Sequence, residues 1–434
     1  MLACWRQDMI GIFWQKIFIK LYPVSSKQAS FLFREIIMKT IIIIANFCRK
    51  FDGTVNGRFL YLAEMFAKRG FRVELITSDF DHGTKKYKDE PVKTYESKII
   101  YIHEPGYVKN ISFRRLYSHR CWGKNVREYL ESCTVPDYIY CAVPSLTAAR
   151  EAASFSKRHH VKFFIDIQDL WPEAFGLVIK SRSLRNLLSF PMKLYVDEIY
   201  RAADKVIAVS DTYRNRALAV NKRDKESLSV YLGTDGGVFD LARKKYRLDR
   251  KDNEIWLCYV GTLSFSYDIE CVLDALCLLK ERNFSRVVKF VVIGDGPLKN
   301  RFERYAENKF VYVEFAGKMP YEKMVGLLCS CDIAINPIKK GSAGSIINKV
   351  GDYALSGLPV INTQECEEYR DLIERYKCGI NCEVGNVNEV ANAIEKLVLD
   401  KDLRDRMGKR SSELGDERFD RRKTYPAIVN LFEN

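Results

Sequence analysis

The chain has 434 residues, 47% of them hydrophobic, and a formal net charge of +14 from 70 Lys and Arg against 56 Asp and Glu. That length supports two or three domains, each with its own core, and the longest oily stretch, Ile36 to Phe47, is broken by Lys39 and is too short for a membrane span of roughly 18 or more residues. So large a positive charge asks for an anionic partner, but there is no RNP-type aromatic pattern, zinc finger or basic region joined to heptads, which argues against nucleic acid and leaves lipid and phosphorylated substrates.

The 13 cysteines are odd in number and scattered through apolar segments, as at Cys258, Cys271 and Cys277, so they read as reduced core residues rather than a disulfide framework. Cys329 with Cys331 and Cys378 with Cys382 lack the paired knuckles or histidines of a zinc site, and no metal is expected. Reduced thiols and no cleavable secretory signal together favour the cytoplasm.

In chain order, residues 1–37 come first, with Ile10, Phe13, Trp14, Ile17, Phe18 and Leu21 on one helical face. They are either an interfacial amphipathic helix or an upstream extension of a mis-called start. From Met38 the pattern is a strand, a loop through Gly53 and Gly57, a helix carrying Leu60, Ala63 and Phe66 and stopped by Gly70, then a strand over Phe71 to Thr77. This is the seed of a parallel, doubly wound sheet. Further strands are predicted at Ile99 to Ile102, Tyr138 to Ala142, Val161 to Ile167 and Lys205 to Val209, completing a first domain over 38–220.

The polar run Asn221 to Ser227 reads as a linker, and LSVYLGTDGGVF as the leading strand of a second domain over 228–415. Strands follow at Trp256 to Val260, Val287 to Ile293, Val311 to Phe315, Ile333 to Asn336 and Val360 to Asn362. Residues 416–434 read as a terminal helix that packs back across the domain boundary.

Two glycine motifs sit in the second domain. Gly294-Asp-Gly296 has Lys299 where a dinucleotide fingerprint needs its third glycine, so it reads as a tight structural turn beside a nucleotide. Ser342 to Leu358, SAGSIINKVGDYALSGL, lies between two strands. A small-residue loop feeding a helix leaves unpaired N–H groups that bind phosphate, and Lys349 and Asp352 follow within two turns, as a grip on the diphosphate and ribose of a nucleotide sugar.

Taken in order, DGTVNGRFLYLAEMFAKRGFRVELIT, FFIDIQDLWPEAF, DKVIAVS, VYLGTDGGVF, WLCYVGTLSFSYDIECVLDAL, KFVVIGDGP and SIINKVGDYALSGLPVI resemble the family 4 glycosyltransferases of the two-Rossmann-domain (GT-B) type, from Met38 to the C-terminus. The DLWPE segment is similar to the branch that builds bacterial surface polysaccharides on lipid-linked acceptors. The resemblance implies an α/β fold of two facing Rossmann-like domains with parallel sheets and a C-terminal helix crossing back. It also implies donor binding by the second domain, acceptor binding by the first, and retention without a metal or other cofactor.

Family members carry two glutamates where this chain has Gly344 and Asp352, so ribose contact falls to Asp352 and the sugar ring must be recognised from elsewhere. The Arg and Lys that many members carry after the first strand of the second domain are absent from GTLSFSYDI, which puts weight on Lys349 as the charge on the departing diphosphate. The expected donor-binding set is Gly261, Thr262, Ser345, Asn348, Lys349 and Asp352. Gln168 stands where relatives have His and cannot act as a base, leaving Asp169 and Glu173, with Lys349, as the catalytic candidates. Arg58, beside Gly53 and Gly57, is expected to meet a phosphate across the cleft. Arg114, Arg115, Arg120, Lys124 and Arg127, with Tyr117 and Trp122, are read as lying on anionic lipid, holding an acceptor pyrophosphate, or forming a solvated helix face; the five histidines receive no role.

The function expected is sugar transfer from a nucleotide diphosphate donor to a lipid-linked or saccharide acceptor, in the cytoplasm and peripherally at the inner face of the membrane. Two rivals stand beside it. One is a nucleotide-sugar epimerase on the same fold, which needs a histidine and carboxylate set the chain does not display; the other is a donor-binding pseudo-enzyme that acts as an assembly partner, motivated by Gly344 and Gln168.

Overall fold

The computed structural model describes residues 38–48, 57–90, 95–110, 112–173, 182–250, 254–309, 311–342 and 345–433. The expectations placed on residues 1–37, Gly53 and Gly344 therefore fall outside the described residues.

The first sheet begins with β1 (Thr40–Ile44) and β2 (Arg72–Ser78); a short antiparallel hairpin, β3 (Phe80–Asp81) and β4 (Lys86–Tyr87), interrupts it. β5 (Lys98–Ile102), β6 (Tyr138–Val143), β7 (Lys162–Ile167), β8 (Lys205–Ala208) and β9 (Leu228–Ser229) complete it. Its order is β5-β2-β1-β6-β7-β8-β9, and every pairing is parallel. The run of isoleucines in β1 follows from the two-residue period of a strand covered on both faces. Ile42 and Ile44 join the core beneath the helices Phe113–Ser132 and Leu146–His159, while Ile41 and Ile43 join Leu60, Ala63 and Phe66 of the helix Arg58–Lys68.

The second sheet has β10 (Glu254–Val260), β11 (Val287–Ile293), β12 (Val313–Gly317), β13 (Ile333–Asn336), β14 (Val360–Asn362) and β15 (Gly379–Asn381), in the order β12-β11-β10-β13-β14-β15 and again parallel throughout. Leu257 and Tyr259 of β10 face one helical layer, and Cys258 and Val260 the other. Two domains, each built on a parallel sheet, are thus present, as the resemblance implies.

Two expectations shift. Leu228 and Ser229 do not lead the second domain: they pair in parallel with Ile207 and Ala208 and extend the first sheet, because β8 offers an open edge there. β12 begins at Val313 rather than Val311.

The C-terminal segment does cross back. After a π-turn at Gly415–Phe419, the helix Pro426–Asn430 sets Tyr425, Ile428, Val429 and Phe432 into the first domain's core beside Ile41, Phe66, Tyr140 and Phe164. The Phe432 ring centroid is 4.4 Å from that of Phe164 and 4.7 Å from that of Phe66. The outgoing and returning strands of chain touch where Thr234 N–H donates to the Phe419 carbonyl and Arg421 N–H to that of Thr234.

Candidate functional site

Parallel sheets present their ligands at the C-terminal ends of the strands. In the second domain that edge is shaped by glycines at positive φ: Gly261 after β10, Gly294 after β11 and Gly317 ending β12. A Cβ on Gly294 would lie 1.9 Å from the Gly261 carbonyl oxygen, and one on Gly296 2.3 Å from that of Leu263. These two glycines therefore serve backbone-to-backbone packing, in keeping with a structural turn and not a dinucleotide cradle.

Lys349 opens the helix Lys349–Ser356 and reaches this edge. Its Nζ stands 4.0 Å from the ring centroid of Tyr259 and 3.9 Å from that of Tyr267. It is buried and makes no hydrogen bond among the described residues. A Cβ on Gly261 would sit 3.1 Å from it, so a side chain there would crowd the ammonium. Burial pushes the Lys349 pKa well below its ordinary 10.5. A buried cation without a carboxylate is an expensive arrangement that an incoming anion relieves.

The other donor-side candidates surround this lysine in part. Thr262 is exposed, and its carbonyl accepts from the Tyr259 hydroxyl at 2.8 Å. Asn348 is exposed, and Ser345 is half-buried with its carbonyl fixed by Gln364 Nε2 at 2.6 Å. Asp352 lies one turn further along the helix, where its Oδ1 accepts from Thr234 Oγ1 at 2.8 Å and the Tyr321 hydroxyl at 2.9 Å. Burial raises its pKa despite both bonds. The carboxyl thus ties its helix to the interdomain crossing.

On the first domain's edge, Asp169 follows β7. It accepts from its neighbour Leu170 N–H at 2.9 Å, from Trp171 Nε1 at 3.3 Å and from the Tyr213 hydroxyl at 3.4 Å. Burial raises its pKa, and those three donors work against the rise. Burial pushes the Tyr213 hydroxyl's pKa up to about 12. Glu173 is exposed and is ion-paired with Arg216, which also holds Asp197 at 2.8 Å. Gln168 spends its amide on Asp166 at 2.5 Å.

Arg58 does not face a phosphate. It is 4% exposed, donates from Nε to Asp166 Oδ2 at 2.8 Å, and donates from Nη1 to the carbonyls of Val230 and Tyr231 at 3.0 and 3.2 Å. Its guanidinium carbon also lies 4.9 Å from the Tyr425 ring centroid. A guanidinium this buried needs a carboxylate, and Asp166, which also accepts from the Tyr140 hydroxyl, supplies it. Arg58 therefore bolts the first sheet to the interdomain crossing. Gly57 precedes its helix, and among the described residues nothing lies within 4 Å of where its Cβ would be. Trp122 is another correction: it is fully buried in the first core, apart from the exposed basic face.

Several residues that shape the cleft were not found from sequence. Glu368 accepts from the N–H groups of Asp211 and Thr212 at 2.9 and 3.3 Å and from the Tyr231 hydroxyl at 2.9 Å. A second-domain carboxylate thereby caps a first-domain helix. Tyr259 and Tyr267 bracket Lys349. The tyrosine spacing around GTLSFSYDI was a signal for the latter pair; nothing local marked Glu368.

Comparison with known proteins agrees with this geometry. Residues 240–414 match the model for glycosyl transferases group 1, and residues 55–231 that for glycosyltransferase family 4. An uncharacterised glycosyltransferase of Methanocaldococcus jannaschii is 24% identical across 54% of this chain and 59% of its own length. The N-acetyl-alpha-D-glucosaminyl L-malate synthase of Bacillus anthracis is 25% identical across 58% and 62%. The chain thus spans about three fifths of the length of these curated relatives. Among solved structures, sucrose-phosphate synthase from Thermosynechococcus elongatus superposes with a TM-score of 0.68 at 16% identity, covering 91% of this chain and 98% of that one. Anabaena HepE, solved with UDP and glucose, gives 0.62 at 15% identity, covering 91% and 99%. At such identities the likeness speaks to the fold.

Proposed function

Because the chain belongs to the family 4-like glycosyltransferases of the GT-B fold, we propose that it moves a sugar from a nucleotide diphosphate donor to a hydroxyl of a saccharide or lipid-linked acceptor, with retention, in surface glycan synthesis. The observation that carries this reading is Lys349, a buried ammonium with no hydrogen-bond partner among the described residues at the strand edge of the second domain. When the bond between the anomeric carbon and the diphosphate breaks, its electron pair goes to the leaving oxygen, and a protonated Lys349 neutralises that charge. Asp352 holds the ribose, and Ser345, Asn348, Gly261 and Thr262 line the path of the diphosphate. Asp169 positions the acceptor hydroxyl and receives its proton, and its place directly after β7, at the strand edge of the first domain, supports this role. No residue in this scheme calls for a metal.

The reaction is proposed to run at the cytoplasmic face of a membrane, with the chain held peripherally. Phe113 and Val108 are 90% and 83% exposed, and Leu116 and Tyr117 are also exposed, beside Lys109, Arg114 and Lys124. Apolar tips within a basic field suit an anionic bilayer surface. Among the described residues no helix is long and apolar enough to cross a membrane.

The test is a thermal-shift screen against UDP-, GDP- and dTDP-sugars, followed by turnover with and without a lipid extract. Stabilisation by one nucleotide family and acceptor-dependent release of that nucleotide are expected. Turnover without acceptor would favour an epimerase, and tight binding without turnover a pseudo-enzyme.

A further inference from the structure

The strand edge of the first domain carries a second group of cations that the transfer chemistry above does not use. Phe47, 40% exposed just after β1, packs its ring 5.2 Å from that of His82 and 5.5 Å from that of His119. Arg115 stands over three rings, its guanidinium carbon 5.3 Å from the centroid of Trp171, 5.7 Å from Tyr107 and 5.8 Å from Phe47. It donates from Nε to His119 Nε2 at 3.3 Å and from Nη1 to the Asn110 carbonyl at 2.9 Å. Lys85 Nζ lies 4.6 Å from the Tyr107 ring centroid and 3.5 Å from His82 Nδ1, and donates to Asn110 Oδ1 at 2.5 Å.

The described carboxylates Asp81 and Glu104 already have partners. Asp81 accepts from the N–H groups of Gly83 and Thr84 and from the Thr84 hydroxyl. Glu104 is buried beneath Ser118, whose hydroxyl it accepts at 2.7 Å, and is 4.0 Å from His119. Burial first, then the charges of Lys85 and Arg115, push His82 down to about 4, and burial with Arg115 does the same to His119. Both imidazoles are therefore neutral at pH 7 beside cations that form no ion pair with a carboxylate among the described residues. Next to Phe47, Asn46 is 2% exposed and its side-chain N–H2 group has no partner among the described residues.

Trp171 ties this cluster to the reaction centre, since its ring carries Arg115 on one contact and its Nε1 donates to Asp169 on another. We propose that Lys85 and Arg115, with His82, His119, Phe47 and Trp171, seat the phosphoryl group and adjoining sugar ring of a phosphate-linked saccharide acceptor. The cations and imidazole N–H groups take the phosphoryl oxygens, and the exposed aromatic faces take the ring. The assignment rests on the transferase reading for the word acceptor, but the anion seat itself does not.

The experiment uses the full chain with isotope-labelled histidine and titrates glucose 1-phosphate while UDP at saturation occupies the donor site, with methyl glucoside as the neutral control. The proposal expects the His82 and His119 resonances to move with glucose 1-phosphate and not with methyl glucoside. Arg115→Gln and Lys85→Gln, both at solvent-accessible positions, should each weaken that response at least about tenfold, the loss of one charge-assisted hydrogen bond, while UDP stabilises both variants as it does the parent. Unmoved resonances, or a response the two variants leave intact, would overturn it, as would a response only to vesicles containing phosphatidylglycerol. A normal histidine response in a chain that none of UDP, GDP and dTDP stabilises would uphold the seat and sink the transferase reading.

Discussion

Replacing Lys349 with Met separates the cost of the site from its use. Met keeps much of the aliphatic volume between Tyr259 and Tyr267 and removes the charge. In the unliganded protein the ring faces give back about 2 kcal/mol to a desolvated cation, less than the several kcal/mol that burying it costs. The variant should therefore be as stable as the parent or about 1 kcal/mol more stable, a gain of roughly 2–4 °C in melting temperature for a domain of this size. Donor binding should move the other way. A unit charge about 4 Å from a phosphate oxygen contributes about 4 kcal/mol at an intermediate dielectric, so affinity should fall about 10- to 100-fold after desolvation is subtracted.

The pH dependence carries the same signature. The folded-state pKa of Lys349 is depressed below 10.5, so between the two values the unfolded chain holds a proton that the folded chain lacks. Parent stability therefore rises with pH across that window, and this component disappears in Lys349→Met. The assay is calorimetric melting of both proteins with and without the best nucleotide sugar, at several pH values. A variant that melts well below the parent while binding the donor equally well would refute the reasoning, because Lys349 would then be a packing residue.

Three further outcomes follow from the same contacts. Arg58→Met should cost about 3–5 kcal/mol in urea denaturation by stranding Asp166, and adding Asp166→Leu should recover part of it, which a phosphate-binding role would not produce. Asp169→Asn should lower turnover about 10²- to 10⁴-fold with donor affinity unchanged, measured by steady-state kinetics and calorimetry; equal loss of both would place it on the donor. Glu368→Ala should remove an interdomain cap that contributes about 1 kcal/mol, seen as faster amide exchange across the helix Asp211–Leu218 and not across β1.

Much of the fold was legible because the strands are covered on both faces and read as largely apolar runs, β1 above all. The crossing back of the C-terminus was legible from its aromatic and aliphatic residues. β9 was not, since two residues carry no period and only the free edge of β8 makes them a strand. Arg58 was misread because its partner lies 108 residues away on β7, and a loop position beside glycines looks the same whether its cation turns outward or inward. Lys349 was found from its place after a small-residue loop, but its aromatic surroundings arise from β10 folding beside the helix. His82 and His119 showed no spacing because they come together only where the β3–β4 turn and the helix Phe113–Ser132 both pack against Phe47.

The most direct test of the central claim is calorimetric titration of the full chain with UDP, GDP and dTDP and their sugars, followed by transfer of label from the sugar that binds. The account predicts saturable binding to one nucleotide family, weakened in Lys349→Met, and label appearing on an acceptor from a lipid or saccharide extract. No binding to any nucleotide diphosphate sugar would contradict it.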